Sequence, residues 1–193
     1  MRIVLASASP RRRELLARAG LVFEVLVSPA EEIHDNSMPP EVLCEWNATL
    51  KAMAIAAEHP EAAVIGADTL VFIDGDALGK PADLDEAHVM LRRLAGRTHQ
   101  VCTGVCVILP GGRHRVFHET SEVTFRPLDD VAIREYTMRV DPLDKAGAYG
   151  IQEHGERIIH AISGSFDNVM GLPVEQVLKT LKEESDCGMG VHG

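Results

Sequence analysis

The sequence predicts a mixed α/β fold, in which helices cover a partly antiparallel sheet. Short β-rich runs alternate with stretches of helical periodicity along the chain. The runs at 101–109 and 113–124 are joined by Pro110-Gly111-Gly112, which is typical of a hairpin. With 193 residues, 46% of them apolar, the chain is long enough to bury one ordinary core. We therefore predict a single domain over residues 1–193, ending in a flexible glycine-containing tail at 185–193.

Start and stop signals place the helices. Ser9-Pro10 puts a capping hydroxyl before a proline at the first helical position, and Asp83 and Glu86 have the spacing of a capping box. Helical spacing of apolar residues predicts helices near 9–19, 41–58, 83–96, 129–139 and 174–181. The predicted strands are 2–7, 23–27, 63–73, 101–109, 113–124 and 157–162.

Charge and composition exclude several classes of protein. The 19 Lys and Arg against 29 Asp and Glu give a net charge of −10, which is unsuited to general nucleic-acid binding. No apolar stretch approaches the roughly 20 residues that span a bilayer, and residues 1–20 lack the apolar region of a signal peptide. The four cysteines form no C-x-x-C pair, as expected of reduced thiols. We therefore expect a cytoplasmic protein that binds neither nucleic acid nor membrane.

Three consecutive arginines, Arg11, Arg12 and Arg13, directly follow the Ser9-Pro10 helix start. A helix N-terminus already carries partial positive charge, so carboxylates rather than cations are expected there. One interpretation is a solvated turn in which Arg11 pairs with Glu14. The other is an anion site, because free backbone N–H groups and guanidinium groups together suit a triphosphate.

The common nucleotide-binding motifs do not account for such a site. Residues 75–80, G-D-A-L-G-K, have one residue too few between the glycines for a Walker A loop, and Pro81 replaces the hydroxyl that binds Mg²⁺. No G-x-G-x-x-G follows a predicted strand, which is where a dinucleotide-binding loop would stand. Charged residues at the ends of predicted elements remain as candidates, and Asp68 is the most informative. A carboxylate within the apolar run I-G-A-D-T-L-V-F-I is costly unless it is paired or binds a metal, although it could also cap a turn.

Five motifs, in order along the chain, resemble the Maf family of nucleoside triphosphate pyrophosphatases. The resemblance covers residues 3 to 182. The motifs are S-A-S-P-R-R at 7–12, G-A-D-T at 66–69, G-K-P at 79–81, D-K-A-G-A-Y-G-I-Q at 144–152 and G-S-F-D-N-V-M-G-L-P at 164–173. The Y-G-I-Q ending is similar to the branch that hydrolyses dTTP and UTP rather than the branch associated with 7-methyl-GTP.

The resemblance implies roles for nine residues. Asp68 corresponds to the proton acceptor, and Glu32 to an acidic residue that with Asp68 would hold Mg²⁺ or Mn²⁺. The implied phosphate- and substrate-binding residues are Ser9, Arg11, Arg12, Lys51, Lys80, Thr69 and Gln152. Within this set Arg11, Thr69 and Gln152 correspond to positions of substrate specificity.

The implied reaction splits the α–β bond of a nucleoside triphosphate and releases a monophosphate and pyrophosphate, which clears unwanted nucleotides from the pool. The resemblance also implies an elongated, two-lobed molecule with a central cleft and possible homodimer formation. Two alternatives stay open. One is a nucleotide-binding regulator of septum formation and cell division, and the other is a pyrophosphatase for non-canonical purine triphosphates such as those of inosine or xanthosine.

Overall fold

A computed structural model describes residues 1–35 and 37–187. Within them, seven strands form one mixed sheet in the order β2-β1-β3-β5-β6-β7, and β4 pairs with β3. The strands are β1 Ile3–Leu5, β2 Glu24–Val25, β3 Ala63–Ile73, β4 Asp76–Leu78, β5 Thr98–Ile108, β6 His114–Phe125 and β7 Ile159–Ser163. β1 pairs in parallel with β2 and β3. The other main pairs are antiparallel: β3 with β5, β5 with β6, and β6 with β7. The predicted mixed α/β fold is confirmed.

The helices cover both faces of this sheet. They are α1 Pro10–Arg18, α2 Pro40–Ala56, α3 Leu84–Leu94, α4 Asp130–Thr137, α5 Gly155–Ile158, α6 Phe166–Met170 and α7 Val174–Cys187, with a 3₁₀ turn at Ala146–Ala148. Ser9 and Asp83 cap α1 and α3 as predicted. The predicted tail begins within α7, which continues to Cys187, and residues 188–193 lie outside the described part of the chain.

Two local predictions were wrong. The strand predicted over 157–162 begins only at Ile159, because residues 155–158 form the short helix α5. A left-handed His154 (φ 55°) turns the chain into this helix, and Ile158 is buried against the core. At α3, the Glu86 carboxylate accepts from the N–H of Ala82 rather than from that of Asp83, so the capping box is only half formed.

β3 organises the centre of the sheet. β5 pairs with residues 64–72 along one edge of β3. Along the other edge, β1 pairs with residues 63–65 and β4 with residues 71–73. Neither of these two strands pairs with residues 66–70, and the sheet is therefore open at Asp68 and Thr69.

Two glycines let α2 lie directly on the sheet. A Cβ at Gly66 would be 2.2 Å from the carbonyl oxygen of Ala48, and one at Gly104 would be 2.3 Å from the carbonyl carbon of Cys44. Gly104 is the register partner of Asp68. The close approach of the α2 backbone therefore brings its next turns against the Asp68 side chain.

The opposite face of the sheet carries two hydrophobic clusters, one toward each end of β3. One cluster packs α1 and α7 against Ala63, Ile65 and Ala67, and the other packs α3 and α4 against Val71 and Ile73. The two clusters form the two halves of the molecule, and Thr69 lies between them on β3. No helix of the described residues has both the length and the apolar character needed to cross a bilayer.

Candidate active site

A cleft of about 730 Å³ opens at the unpaired edge of β3, between the N-terminus of α1 and the glycine-rich segment 144–151. Its size is that of a typical small-ligand site. Eight of the nine predicted site residues line it: Ser9, Arg11, Arg12, Glu32, Lys51, Asp68, Thr69 and Lys80. Gln152 does not line the cleft, although the preceding residue, Ile151, does.

Two carboxylates and an ammonium group form the acidic side of the cleft. Lys51 Nζ lies 2.7 Å from Asp68 Oδ1 and 2.6 Å from Glu32 Oε1. Asp68 is buried, with 4% of its surface exposed. Burial opposes ionisation of Glu32, but the charge and hydrogen bond of Lys51 outweigh it and lower the pKa of this carboxyl. Both carboxylates are thereby arranged around a single cation.

Asn47 completes this arrangement and was missed in the sequence. Its Nδ2 donates to Asp68 Oδ2 at 3.2 Å and to the carbonyl oxygen of Ile33 at 3.1 Å, and its Oδ1 accepts from the Ile33 N–H at 2.7 Å. The amide therefore ties the loop that carries Glu32 to the strand that carries Asp68. The only signal in the sequence was a polar residue on the apolar side of a predicted helix.

The second arginine of the helix start is largely committed to the protein itself. Arg12 Nε donates to the carbonyl oxygen of Gly171 at 2.8 Å, Nη1 to Ser7 Oγ at 3.1 Å and Nη2 to Thr69 Oγ1 at 2.9 Å. A guanidinium has five N–H groups, so these three bonds leave two for a ligand. Ser9 Oγ accepts from the N–H of Arg12 at 3.4 Å and caps the helix.

Arg11 bridges the two sides of the cleft. Its Nη1 lies 3.4 Å from Asp144 Oδ2, so its ion pair is with the opposite wall rather than with Glu14, the partner considered for a solvated turn. Asp144 also contacts Lys145 Nζ at 2.6 Å. Lys145 is only 3% exposed yet lines the cleft. In the sequence it was one of the charged candidates at the ends of predicted elements, but it was not among the nine residues given a role.

The two remaining predicted residues are more exposed. Lys80 comes shortly after β4, is exposed and lines the cleft. Gln152 Nε2 donates to Glu14 Oε1 of α1 at 3.3 Å at the protein surface. Gln152 and Arg11 thus both connect α1 with the 144–152 segment.

The chemistry of the cleft follows from these charges. Among the described residues, five cationic side chains and three carboxylates line it, an excess of positive charge in a protein of net charge −10, which suits a polyanion. Among the described residues, no group of three or more His, Cys, Asp or Glu side chains is placed to hold a metal. Glu32 and Asp68 are the carboxylates that could supply oxygen ligands beside a bound phosphate.

Comparison with known proteins gives consistent results. The model of the family described as Maf-like protein matches residues 2–184. A protein of Akkermansia muciniphila named dTTP/UTP pyrophosphatase is 54% identical over 93% of this chain and 94% of its own length. One of the same name from Bacillus velezensis is 48% identical over 94% of this chain and 96% of its own.

A solved structure shares the fold at low sequence identity. The Ham1 protein of Staphylococcus aureus matches with a TM-score of 0.53 and 16% identity, covering 95% of this chain and 100% of that one. The family match over nearly the whole length, together with relatives near 50% identity, determines the classification. The chain belongs to the Maf-like protein family, as its five motifs had indicated.

Proposed function

We propose that this protein hydrolyses dTTP and UTP to the nucleoside monophosphate and pyrophosphate, and so removes these or related pyrimidine nucleotides from the pool. The observation that carries the proposal is the Lys51–Asp68–Glu32 cluster, set in a cleft that Arg11, Arg12, Lys80 and Lys145 also line. The names of relatives at 48–54% identity support the same substrates.

The cationic residues bind and orient the triphosphate. Arg11 and Lys80 have side chains at the cleft, and Arg12 has two N–H groups left for a phosphate oxygen. A phosphoryl group under attack is surrounded by negative oxygens, so fixed cations lower the barrier chiefly by electrostatic stabilisation. Binding of the substrate replaces the Arg11–Asp144 contact by stronger contacts to phosphate.

Asp68 accepts the proton of the attacking water. As the new phosphorus–oxygen bond forms, the α–β anhydride bond breaks, pyrophosphate departs with the bond electrons, and the water proton passes to an Asp68 oxygen. Asn47 and Lys51 each hold one of the two oxygens, which fixes the plane of the carboxylate. A base held rigidly at its target contributes typically 10²–10⁴-fold to such a step.

The two carboxylates fit a divalent cation. Oxygens of Glu32 and Asp68 lie within 2.7 Å of the same Lys51 nitrogen, so one divalent cation could bind both carboxylates in competition with the ammonium group. Mg²⁺ is commonly held by one or two carboxylates together with substrate phosphates. Bound there, Mg²⁺ or Mn²⁺ would supply charge neutralisation for the phosphates.

Product-resolved hydrolysis tests the proposal. The purified protein is incubated with Mg²⁺ or Mn²⁺ and, separately, dTTP, UTP, CTP, GTP, 7-methyl-GTP and ITP, and pyrophosphate and orthophosphate are measured independently. We expect pyrophosphate from dTTP and UTP, and none after chelation. Preference for ITP would favour the purine alternative. Nucleotide binding without any hydrolysis would favour the regulator.

A further inference from the structure

We infer that Thr103, a buried residue of β5, is a positioning residue that turns the hydroxyl of Thr69 into a hydrogen-bond acceptor toward the cleft. The cleft would then favour a nucleobase that offers an N–H at this point, as uracil and thymine do at N3, over cytosine, which has a lone pair there. The inference rests on the proposed function and adds to it a determinant of selectivity outside the cleft lining.

The two threonines are direct partners in the sheet. Thr69 on β3 is in register with Thr103 on β5, and their Oγ1 atoms are 2.9 Å apart. Thr103 is fully buried, whereas Thr69 is partly exposed and lines the cleft. A ligand in the cleft can therefore reach the Thr69 hydroxyl, while Thr103 acts on the ligand only through it.

The hydrogen bonds determine where each hydroxyl proton points. Arg12 Nη2 can only donate, and it takes one lone pair of Thr69 Oγ1 at 2.9 Å. Thr103 Oγ1 donates its single proton to the carbonyl oxygen of Asn168 at 3.1 Å. Thr69 therefore donates its own proton to Thr103 at 2.9 Å. One lone pair of Thr69 is left, and it is available to the cleft.

The opposite arrangement is poorer. If Thr103 donated to Thr69, the Thr69 proton would have the carbonyl oxygen of Gly171 at 3.4 Å as its protein acceptor, beyond the usual range for an O–H donor. The 3.1 Å bond from Thr103 to Asn168 would also be lost. Thr69 thus faces the ligand as an acceptor, which matches the N3–H of uracil and thymine and opposes the N3 lone pair of cytosine.

The test compares hydroxyl-free and hydroxyl-retaining variants. Thr103→Val keeps the shape of the side chain and frees the Thr69 proton, whereas Thr103→Ser keeps the hydroxyl. Thr98→Val is the matched control. Thr98 lies on β5 like Thr103, and its Oγ1 is 2.8 Å from that of Thr124 on β6, but this pair is exposed and lies away from the cleft. For each variant, kcat/KM for UTP and CTP is measured with Mg²⁺ present. The binding of the two nucleotides is measured separately, in metal-free buffer.

We expect Thr103→Val to lower the preference for UTP over CTP by about tenfold, the size of one hydrogen-bond contribution, with kcat for UTP within about threefold of the original protein. Thr103→Ser and Thr98→Val should keep the preference. An unchanged preference in Thr103→Val, an equal loss in Thr103→Ser, or an original protein that binds UTP and CTP alike would each overturn the inference.

Two safeguards separate the possible failures. Thr103→Ala serves as a second hydroxyl-free variant should Thr103→Val not fold, as judged by circular dichroism. An original protein that releases no pyrophosphate from UTP would refute the proposed function, and the UTP-to-CTP binding ratios of the variants would still decide the role of Thr103.

Discussion

Lys51 and Asp68 form a partly buried ion pair in which Nζ lies 2.7 Å from Oδ1, and the same nitrogen lies 2.6 Å from Glu32 Oε1. Two carboxylates at such short range would repel each other without a cation between them. The ammonium group therefore holds the acidic centre together before any ligand arrives. A divalent cation that used the same oxygens would compete with it.

Replacing Lys51 should separate its two effects. In Lys51→Gln we expect Mn²⁺ to bind severalfold more tightly, because the competing positive charge is gone. Pyrophosphate release should nevertheless fall at least tenfold, because a cation that faces the phosphates is lost. Titration by electron paramagnetic resonance and a pyrophosphate assay measure the two quantities. Lys179→Gln, on the exposed side of α7, is the control, and an unaltered Mn²⁺ affinity in Lys51→Gln would contradict the competition.

The role of Asp68 as proton acceptor predicts a loss of turnover without a loss of binding. Asp68→Asn keeps the size of the side chain but removes the basic oxygen, so kcat for UTP should fall by about 10³-fold. Binding of UTP, measured by titration calorimetry, should be retained, since a negative charge next to the triphosphate is removed. Asp74→Asn is the matched control, because Asp74 directly follows the same strand and forms an exposed ion pair with Arg97. Turnover near the original level in Asp68→Asn would rule out this role.

Sequence patterns predicted the longer helices and strands, and eight of the nine predicted site residues line the cleft. They missed the short elements β4, α5 and α6, and they failed where a residue's role depends on its neighbours in space. A carboxylate in an apolar strand marked Asp68, since burial of such a group requires a partner. Asn47 and Thr103 gave no comparable signal, because an amide in a helix or a threonine in a strand is ordinary until its partners are known. The turn at His154 was missed because the sequence marker is weak: histidine adopts the left-handed conformation more often than most non-glycine residues, but still rarely.

Because α2 packs directly against the backbone of the sheet, the stability of the protein should depend strongly on Gly104. In Gly104→Ala the new Cβ would lie 2.3 Å from the carbonyl carbon of Cys44, so the helix must move away from the sheet. We expect the free energy of unfolding to fall by about 3 kcal/mol, measured by urea denaturation. Gly79→Ala is the control, because its Cβ would have no atom of the described residues within 4 Å, and it should change stability by less than about 1 kcal/mol. A Gly104→Ala protein as stable as that control would show that α2 tolerates the displacement.

A buried histidine behind the cleft predicts a specific loss of stability in acid. His99 is 2% exposed, its ring lies 5.0 Å from that of Phe125, and its Nε2 is 2.8 Å from the hydroxyl of Tyr149. The imidazolium would carry N–H groups at both nitrogens, and Nδ1 has no hydrogen-bond partner in the part of the chain that is described. Burial accordingly lowers the pKa of His99 from 6.5 to about 4.

The direction of the effect follows from proton binding. Between pH 6.5 and about 4 the unfolded chain binds a proton at His99 that the folded protein does not, so stability is complete above pH 6.5 and decreases as the pH falls. At pH 5 the loss from this one group should be about 2 kcal/mol. We expect His99→Gln, which retains a hydrogen-bonding group for Tyr149, to lack this component. Urea denaturation of both proteins at pH 7.5 and pH 5 measures it, and an equal decrease in the two would place the acid sensitivity in other groups.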